Sequence, residues 1–244
     1  MESLVIPEHE HTPQAIRARL EAGPRLSYLR DWVYGGIDGS VTTFAVVAGV
    51  VGAHLSPEVI LILGVANLLG DGFSMAASNY SGTRTERQEI DALHQQEKRH
   101  IAANPEGERE EVRQILAAKG FAGHELERAV SVVAADEERW IRFMLTEEYG
   151  LPARIRSALG AAMSTFSAFL LCGLVPLLPF VLRLPNPFVL SLVTTLGVFF
   201  AIGSARSRWL LVSWWRAGLE TLGIGSVAAA LAFAAGVVIA RVTL

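Results

Sequence analysis

Asn67, Asp71 and Met75 are spaced four apart in Asn67-Leu68-Leu69-Gly70-Asp71-Gly72-Phe73-Ser74-Met75. On a helix that spacing puts an amide, a carboxylate and a thioether on one face. A further carboxylate, Asp38, sits in the equally apolar Gly35-Gly36-Ile37-Asp38-Gly39-Ser40. Oxygen donors with a thioether sulfur suit a borderline divalent ion such as Fe²⁺ better than Mg²⁺ or Ca²⁺. A plainer reading stays open beside it, in which Asp38 caps a helix end, Asp71 bonds a neighbouring helix and Met75 fills core space.

A second set of ligand types lies in a polar stretch. Glu97 and His100 form an i, i+3 pair, as do Glu108 and Glu111, and Met144 precedes Glu147 and Glu148 by one turn. Each pair points two groups to the same side of a helix. Packed together, such helices would gather carboxylates, an imidazole and a thioether, a set suited to Fe²⁺, Mn²⁺ or Zn²⁺. The rival is a solvated charged face, with Arg109 and Arg113 neutralising the acidic pairs. Glu97-Lys98-Arg99-His100 also has the Glu-x-x-His spacing of ferritin-like di-iron proteins, but that fold needs a second copy packed against the first, and the insert has none. A membrane-anchored di-iron carboxylate oxidase is therefore the enzyme alternative, and a metal-free membrane scaffold is a third. His94 and His124 lack convincing partners and His9 and His11 lie in a terminal tail, so all four read as solvated.

The elements that must position these residues are helices in two settings. With 51% hydrophobic residues, 18% charged residues and a mean hydropathy of +0.37, the 244-residue chain is too apolar for an ordinary soluble domain. Five windows have the roughly 20 mainly apolar residues that span a bilayer: 33–54, 57–79, 158–182, 187–205 and 221–242. The expected class is all-α, an integral membrane protein with five transmembrane helices and a cytosolic helical insert between the second and third. Asp38 and Asp71 would then lie at membrane depth, where a charged residue costs roughly 2.5 to 3.5 kcal/mol and must face a cavity, a partner or an ion. Pro176 and Pro179 predict a break or kink in the third span, with the freed carbonyls buried in protein or lining a polar cavity.

Four stretches follow: a polar N-terminal tail (1–27), helices 1–2 (28–79), the insert (80–156) and helices 3–5 (157–244). The insert holds 15 of the 24 acidic residues and 12 of the 21 Lys and Arg. From Thr83 to Ala103 nothing breaks the helical pattern, so the second membrane helix is expected to continue out of the bilayer. Asn104 and Pro105 start a new helix that runs to Lys119 and stops at Gly120. Two more, 123–135 and 136–149, end at Gly150 and Pro152.

Arg17, Arg19, Arg25 and Arg30 precede the first span, Arg84 and Arg87 follow the second, and Arg206, Arg208 and Arg216 join the last two. These flanks should be cytosolic. The tail has no apolar stretch of the kind a cleavable signal needs, so the first membrane helix is expected to do the targeting. A net charge of −3 without a long basic stretch excludes nucleic acid as partner. The single cysteine, Cys172, can form neither an intrachain disulfide nor a Cys-x-x-Cys site.

Taken in order, four motifs resemble the vacuolar iron transporter family over residues 28–242. They are Tyr34-Gly35-Gly36-Ile37-Asp38-Gly39-Ser40-Val41-Thr42-Thr43-Phe44-Ala45; Ala66-Asn67-Leu68 with Asp71-Gly72-Phe73-Ser74-Met75-Ala76-Ala77-Ser78; Phe143-Met144-Leu145 before Glu147-Glu148-Tyr149-Gly150-Leu151; and Pro176-Leu177-Leu178-Pro179-Phe180. The resemblance implies a homodimer in a bilayer that exchanges cytosolic Fe²⁺, often also Mn²⁺, for protons, with no catalytic cofactor. It implies an ion path lined by the first two helices, and an insert that collects metal. Asp38 and Met75 look like its path residues, Asn67 occupies a path position that can be acidic elsewhere, and Asp71 lies close by. The cytosolic metal site falls on Glu97, Glu108, Glu111, Met144 and Glu147 or Glu148. Two departures stand out: His100 and Asn79 each occupy a position where the family is expected to carry glutamate. The expected membrane is the plasma membrane in a bacterium, and that of a vacuole or other organelle in a eukaryote.

Overall fold

The computed structural model describes residues 10–23, 26–152, 155–207 and 212–243. His9, Arg25 and Arg208 lie outside them. The described residues contain helices and no strand. The chain divides into two compact units, Met1–Ser81 with Arg156–Leu244, and Gly82–Ile155.

Within the polar N-terminal tail lies a helix, α1 (Pro13–Ala22), that the sequence reading did not delineate. Its start is legible afterwards: Thr12 Oγ1 accepts from the Ala15 amide at 3.2 Å, Pro13 needs no amide partner at the first turn, and Gly23 ends the helix at φ 68°.

The first unit is built on α2 (Leu29–Gly52), the first part of α3 (Pro57–Ala103), α7 (Ala158–Leu174), the short α8 (Leu178–Val181), α9 (Pro187–Arg206) and α10 (Trp214–Thr243). Five helical stretches among the described residues are long and apolar enough to cross a membrane, one for each expected window, with α7 and α8 forming one of them. Helix α2 starts at Leu29 and α10 at Trp214, earlier than the windows, because polar turns can be helical without being apolar. Large apolar side chains cover the outside: Ile62, Leu69, Phe73, Val193, Ile224 and Leu231 are all more than half exposed. Such a surface is stable only against lipid or another apolar partner.

Close backbone approach holds α2 to α7. A Cβ on Gly35 would stand 2.2 Å from the Thr165 carbonyl oxygen, and one on Gly39 would stand 2.4 Å from that of Phe169. The Gly35-x-x-x-Gly39 spacing therefore works as a contact face, since any side chain there would force the helices apart. Around it Val47, Val50, Ile60, Leu68, Phe169, Leu177 and Phe180 form a buried cluster. The expected break in the third span falls at Val175–Leu177, a single 3₁₀ turn between α7 and α8. Pro179 has no amide hydrogen to return to the preceding turn, and the Pro176 carbonyl accepts from Ser191 Oγ on α9 at 2.7 Å.

The second unit holds the remainder of α3 with α4 (Pro105–Ala118), α5 (Gly123–Ala134) and α6 (Glu137–Glu147). Asn104 Oδ1 accepts from the Gly107 amide at 3.1 Å and Asp136 Oδ1 from the Arg139 amide at 2.7 Å, so both turn signals act as N-caps. Gly120 and Gly150 take positive φ where helices end. Ile101, Val112, Leu116, Val130, Trp140, Ile141, Met144 and Leu145 make the core of this unit.

Candidate metal-binding sites

In the insert, α3 and α4 meet at their acidic pairs. Asn104 and Pro105 reverse the chain between them, so Glu108, on the first turns of α4, returns to the side of α3 that carries Glu97 and His100. One ligand atom from each of Glu97, His100 and Glu108 lies within 4.8 Å of the others, and no other trio of Asp, Glu, His or Cys among the described residues does so. Glu97 is 1% exposed and Glu108 6%. His100 Nδ1 stands 3.7 Å from Glu97 Oε1 and 3.6 Å from Glu108 Oε1, too long for hydrogen bonds. Tyr149 Oη donates to Glu97 Oε1 at 2.9 Å. The remaining oxygens, Glu97 Oε2 and Glu108 Oε2, are buried without any hydrogen-bond partner.

Orphaned carboxylate oxygens in a buried place are costly, and a bound cation is the simplest group that satisfies several at once. The electrostatics agree. Burial, followed by the charges of Glu111, Glu97 and Glu148 against the opposing effect of His100, pushes the Glu108 carboxyl up to about 7. Glu148 is also held above the usual carboxylate range, by desolvation and then by Glu97 and Glu111. Burial and the hydrogen bond to Glu97 raise the Tyr149 phenol as well. Glu111 and Glu148 thus belong to the field of the trio although both are exposed.

Other expected contributors go elsewhere. Glu147 pairs with Lys119, and Met144 is fully buried in the apolar core. Arg109 and Arg113 do not neutralise Glu108 or Glu111: Arg109 pairs with Glu106, and Arg113 with Glu110 and Glu127. His94, expected to be solvated, lies 3.3 Å from Glu138 Oε1. Its partner is 44 residues away, outside any spacing rule.

Between the first two membrane helices, Asn67 Nδ2 donates to Thr42 Oγ1 at 3.2 Å, and Thr42 Oγ1 donates to the Asp38 carbonyl at 2.9 Å. Asp38 and Asp71, each half-buried, lie near enough to feel each other's charge. Neither side chain has a hydrogen-bond or ion-pair partner among the described residues. Met75 is half-buried and leans on the cluster around Leu68 and Phe169.

The arginine that could have sealed a membrane carboxylate goes to a residue that spacing did not single out. Arg156 Nη1 donates to both oxygens of Asp31, at 2.7 and 2.6 Å, and Asp31 is 1% exposed. Asn79 Nδ2 adds bonds to Asp31 Oδ1 at 3.0 Å, to Thr165 Oγ1 at 2.7 Å and to the Ala161 carbonyl at 3.3 Å. A glutamate at 79 would set a second carboxylate against Asp31, whereas the amide donates to it. In the sequence Asp31 has only the adjacent Arg30 as an obvious counter-charge, and no spacing points to Arg156.

Comparison with known proteins decides the kinship. The model of the VIT family matches residues 29–237. The chain is 33% identical over 211 residues to vacuolar iron transporter 1 of Arabidopsis thaliana, covering 84% of this chain and 83% of the relative. The chain belongs to the VIT family. It is also similar to vacuolar iron transporter 1 of Eucalyptus grandis, 31% identical with 84% of each chain covered. A vacuolar iron transporter of Plasmodium berghei is 27% identical, with 87% of this chain and 82% of that one covered. These VIT family relatives are named as transporters, not enzymes, in line with a non-enzymatic chain, and with the apolar helices they make it a multi-pass membrane protein.

Proposed function

We propose that the protein is a proton-coupled antiporter that moves Fe²⁺, Mn²⁺ or both out of the cytosol, working as a homodimer with five spans and with its N-terminus and insert on the cytosolic side. The observation that carries the reading is the pair Asp38 and Asp71, two half-buried carboxylates within reach of each other's charge and without a counter-ion among the described residues. An acid kept there unpaired is a place for a passing cation or proton. Asp38 would hold the ion or the proton but not both, which is what exchange requires. Met75 would add a sulfur ligand that favours Fe²⁺ over Mg²⁺.

In the insert, Glu97, His100 and Glu108 would take the ion first, with Glu111 and Glu148 adding negative potential. Met144 would contribute only through a core rearrangement, and Glu147 only by releasing Lys119. Zn²⁺ fits the same trio. The arginines at the ends of the spans support the orientation. The exposed apolar face of α3, with open space over Gly70, supports a second copy against it.

Proteoliposomes loaded at low pH and supplied with Fe²⁺ or Mn²⁺ outside test the proposal. Wild type should accumulate metal as protons leave, and Asp38→Ala should lose at least tenfold in flux while keeping its melting temperature. Equal flux in both proteins would reject the role given to Asp38.

A further inference from the structure

Within the insert, apart from the carboxylate trio, a cavity of about 360 Å³ is lined by both basic and apolar groups. Arg87 and Asp91, one turn apart on α3, share it with Arg142 and Thr146, one turn apart on α6. Ile90, Leu151 and Ile155 supply an apolar wall. Arg87 and Arg142 have no hydrogen-bond or ion-pair partner among the described residues, so their guanidinium groups are available to a ligand. Two arginines against one aspartate leave the cavity with net positive charge, so it favours an anion. Its walls favour one with an apolar body.

Chain connectivity narrows the choice. Arg87 lies eight residues past the end of the second apolar window at residue 79, about 12 Å along the same continuous helix, and Ile155 lies three residues before the third window begins at 158. The polar headgroup layer occupies roughly 5 to 8 Å on each side of the hydrocarbon core, which leaves a gap of a few ångströms that a long arginine side chain reaches across. The planar guanidinium fork matches phosphate oxygens, and two such forks beside a hydroxyl can hold one phosphate. We propose that this cavity binds the phosphate headgroup of an anionic lipid, with Arg87 and Arg142 as the anion-binding pair and the apolar wall taking the glycerol and upper acyl carbons. Asp91 opposes the anion and limits its affinity.

The test uses the full-length protein in detergent, titrated with phosphatidylglycerol or phosphatidylcholine and followed by native mass spectrometry. Wild type should retain phosphatidylglycerol at least tenfold more tightly than phosphatidylcholine. The R87Q/R142Q double variant should lose that preference, R87K/R142K should keep part of it, and Asp91→Asn should strengthen it. Both arginines are exposed, so the double variant should melt as wild type does. Glycerol 3-phosphate and inorganic phosphate serve as soluble probes. If either binds as tightly as the lipid, a free phosphate is the ligand and the lipid assignment fails. Unchanged phosphatidylglycerol preference in R87Q/R142Q together with an indifferent Asp91→Asn would place the lipid elsewhere and overturn the proposal. None of these readouts uses metal flux, so their failure is distinct from a failure of the transport reading.

Discussion

Asp31 in the membrane-spanning unit and Glu97 in the insert are each about 1% exposed, yet the two carboxylates are treated in opposite ways. Asp31 receives Arg156 on both oxygens and Asn79 on one, so its charge is neutralised within the protein. Glu97 has a tyrosine on one oxygen and nothing on the other, and its neighbours are a second buried glutamate and a histidine beyond hydrogen-bond distance. Burial alone therefore does not mark a cation site. On the proposed reading what marks one is an acid without an internal counter-charge, a distinction that also sets Asp38 and Asp71 apart from Asp31.

The largest effect that could break this contrast is at the satisfied pair. Arg156→Ala should cost about 3–5 kcal/mol, because it strands a buried charge. Thermal unfolding in detergent should show a large drop, and Asp31→Asn in the same background should restore part of it. If Arg156→Ala is neutral, Asp31 is no more committed than Glu97.

At the unsatisfied site the sign reverses. Glu108→Gln removes a charge held at cost, so without metal it should raise the melting temperature at pH 7.5 while lowering Mn²⁺ affinity by at least tenfold in calorimetry. A melting temperature that falls instead would mean the carboxylate has an internal partner after all.

The pH dependence sharpens the same point. The Glu108 carboxyl titrates near 7 in the folded protein against an ordinary value of 4.5, so the native state binds this proton more tightly than the unfolded chain does. Its contribution to stability is fully present below pH 4.5 and is lost as pH rises through about 7. The metal-free insert should melt lower at pH 7.5 than at pH 5, and the stabilisation by added Mn²⁺ should be larger at pH 7.5. The smallest effect is expected for Tyr149→Phe, which removes one hydrogen bond to Glu97 and should cost about 1–3 kcal/mol without metal. Excess Mn²⁺ should offset part of that loss.

Local signals were easiest to read where one short stretch carries the whole physical cause. Asn104-Pro105, Asp136 and Gly120 announce helix ends because caps and positive φ act within a turn. Pro176 and Pro179 announce a break for the same reason. Glu97 and His100 could be placed on one side of a helix by counting residues. Pairings across long separations could not be read this way. Arg156 is 125 residues from Asp31, Glu138 is 44 from His94, and Glu127, which draws Arg113 away from the acidic pair it was expected to cover, is 14 from Arg113.

Residue order alone settled which segments are apolar enough for lipid, where the helices of the insert begin and stop to within a residue or two, and which kin the chain has, since each of these depends on composition or on neighbours within a few positions. The folded arrangement decided which acids keep a counter-charge and which are left with bare oxygens. That choice depends on distances between helices, and a charge interacts with whatever the fold brings within a few ångströms, however far away it lies along the chain.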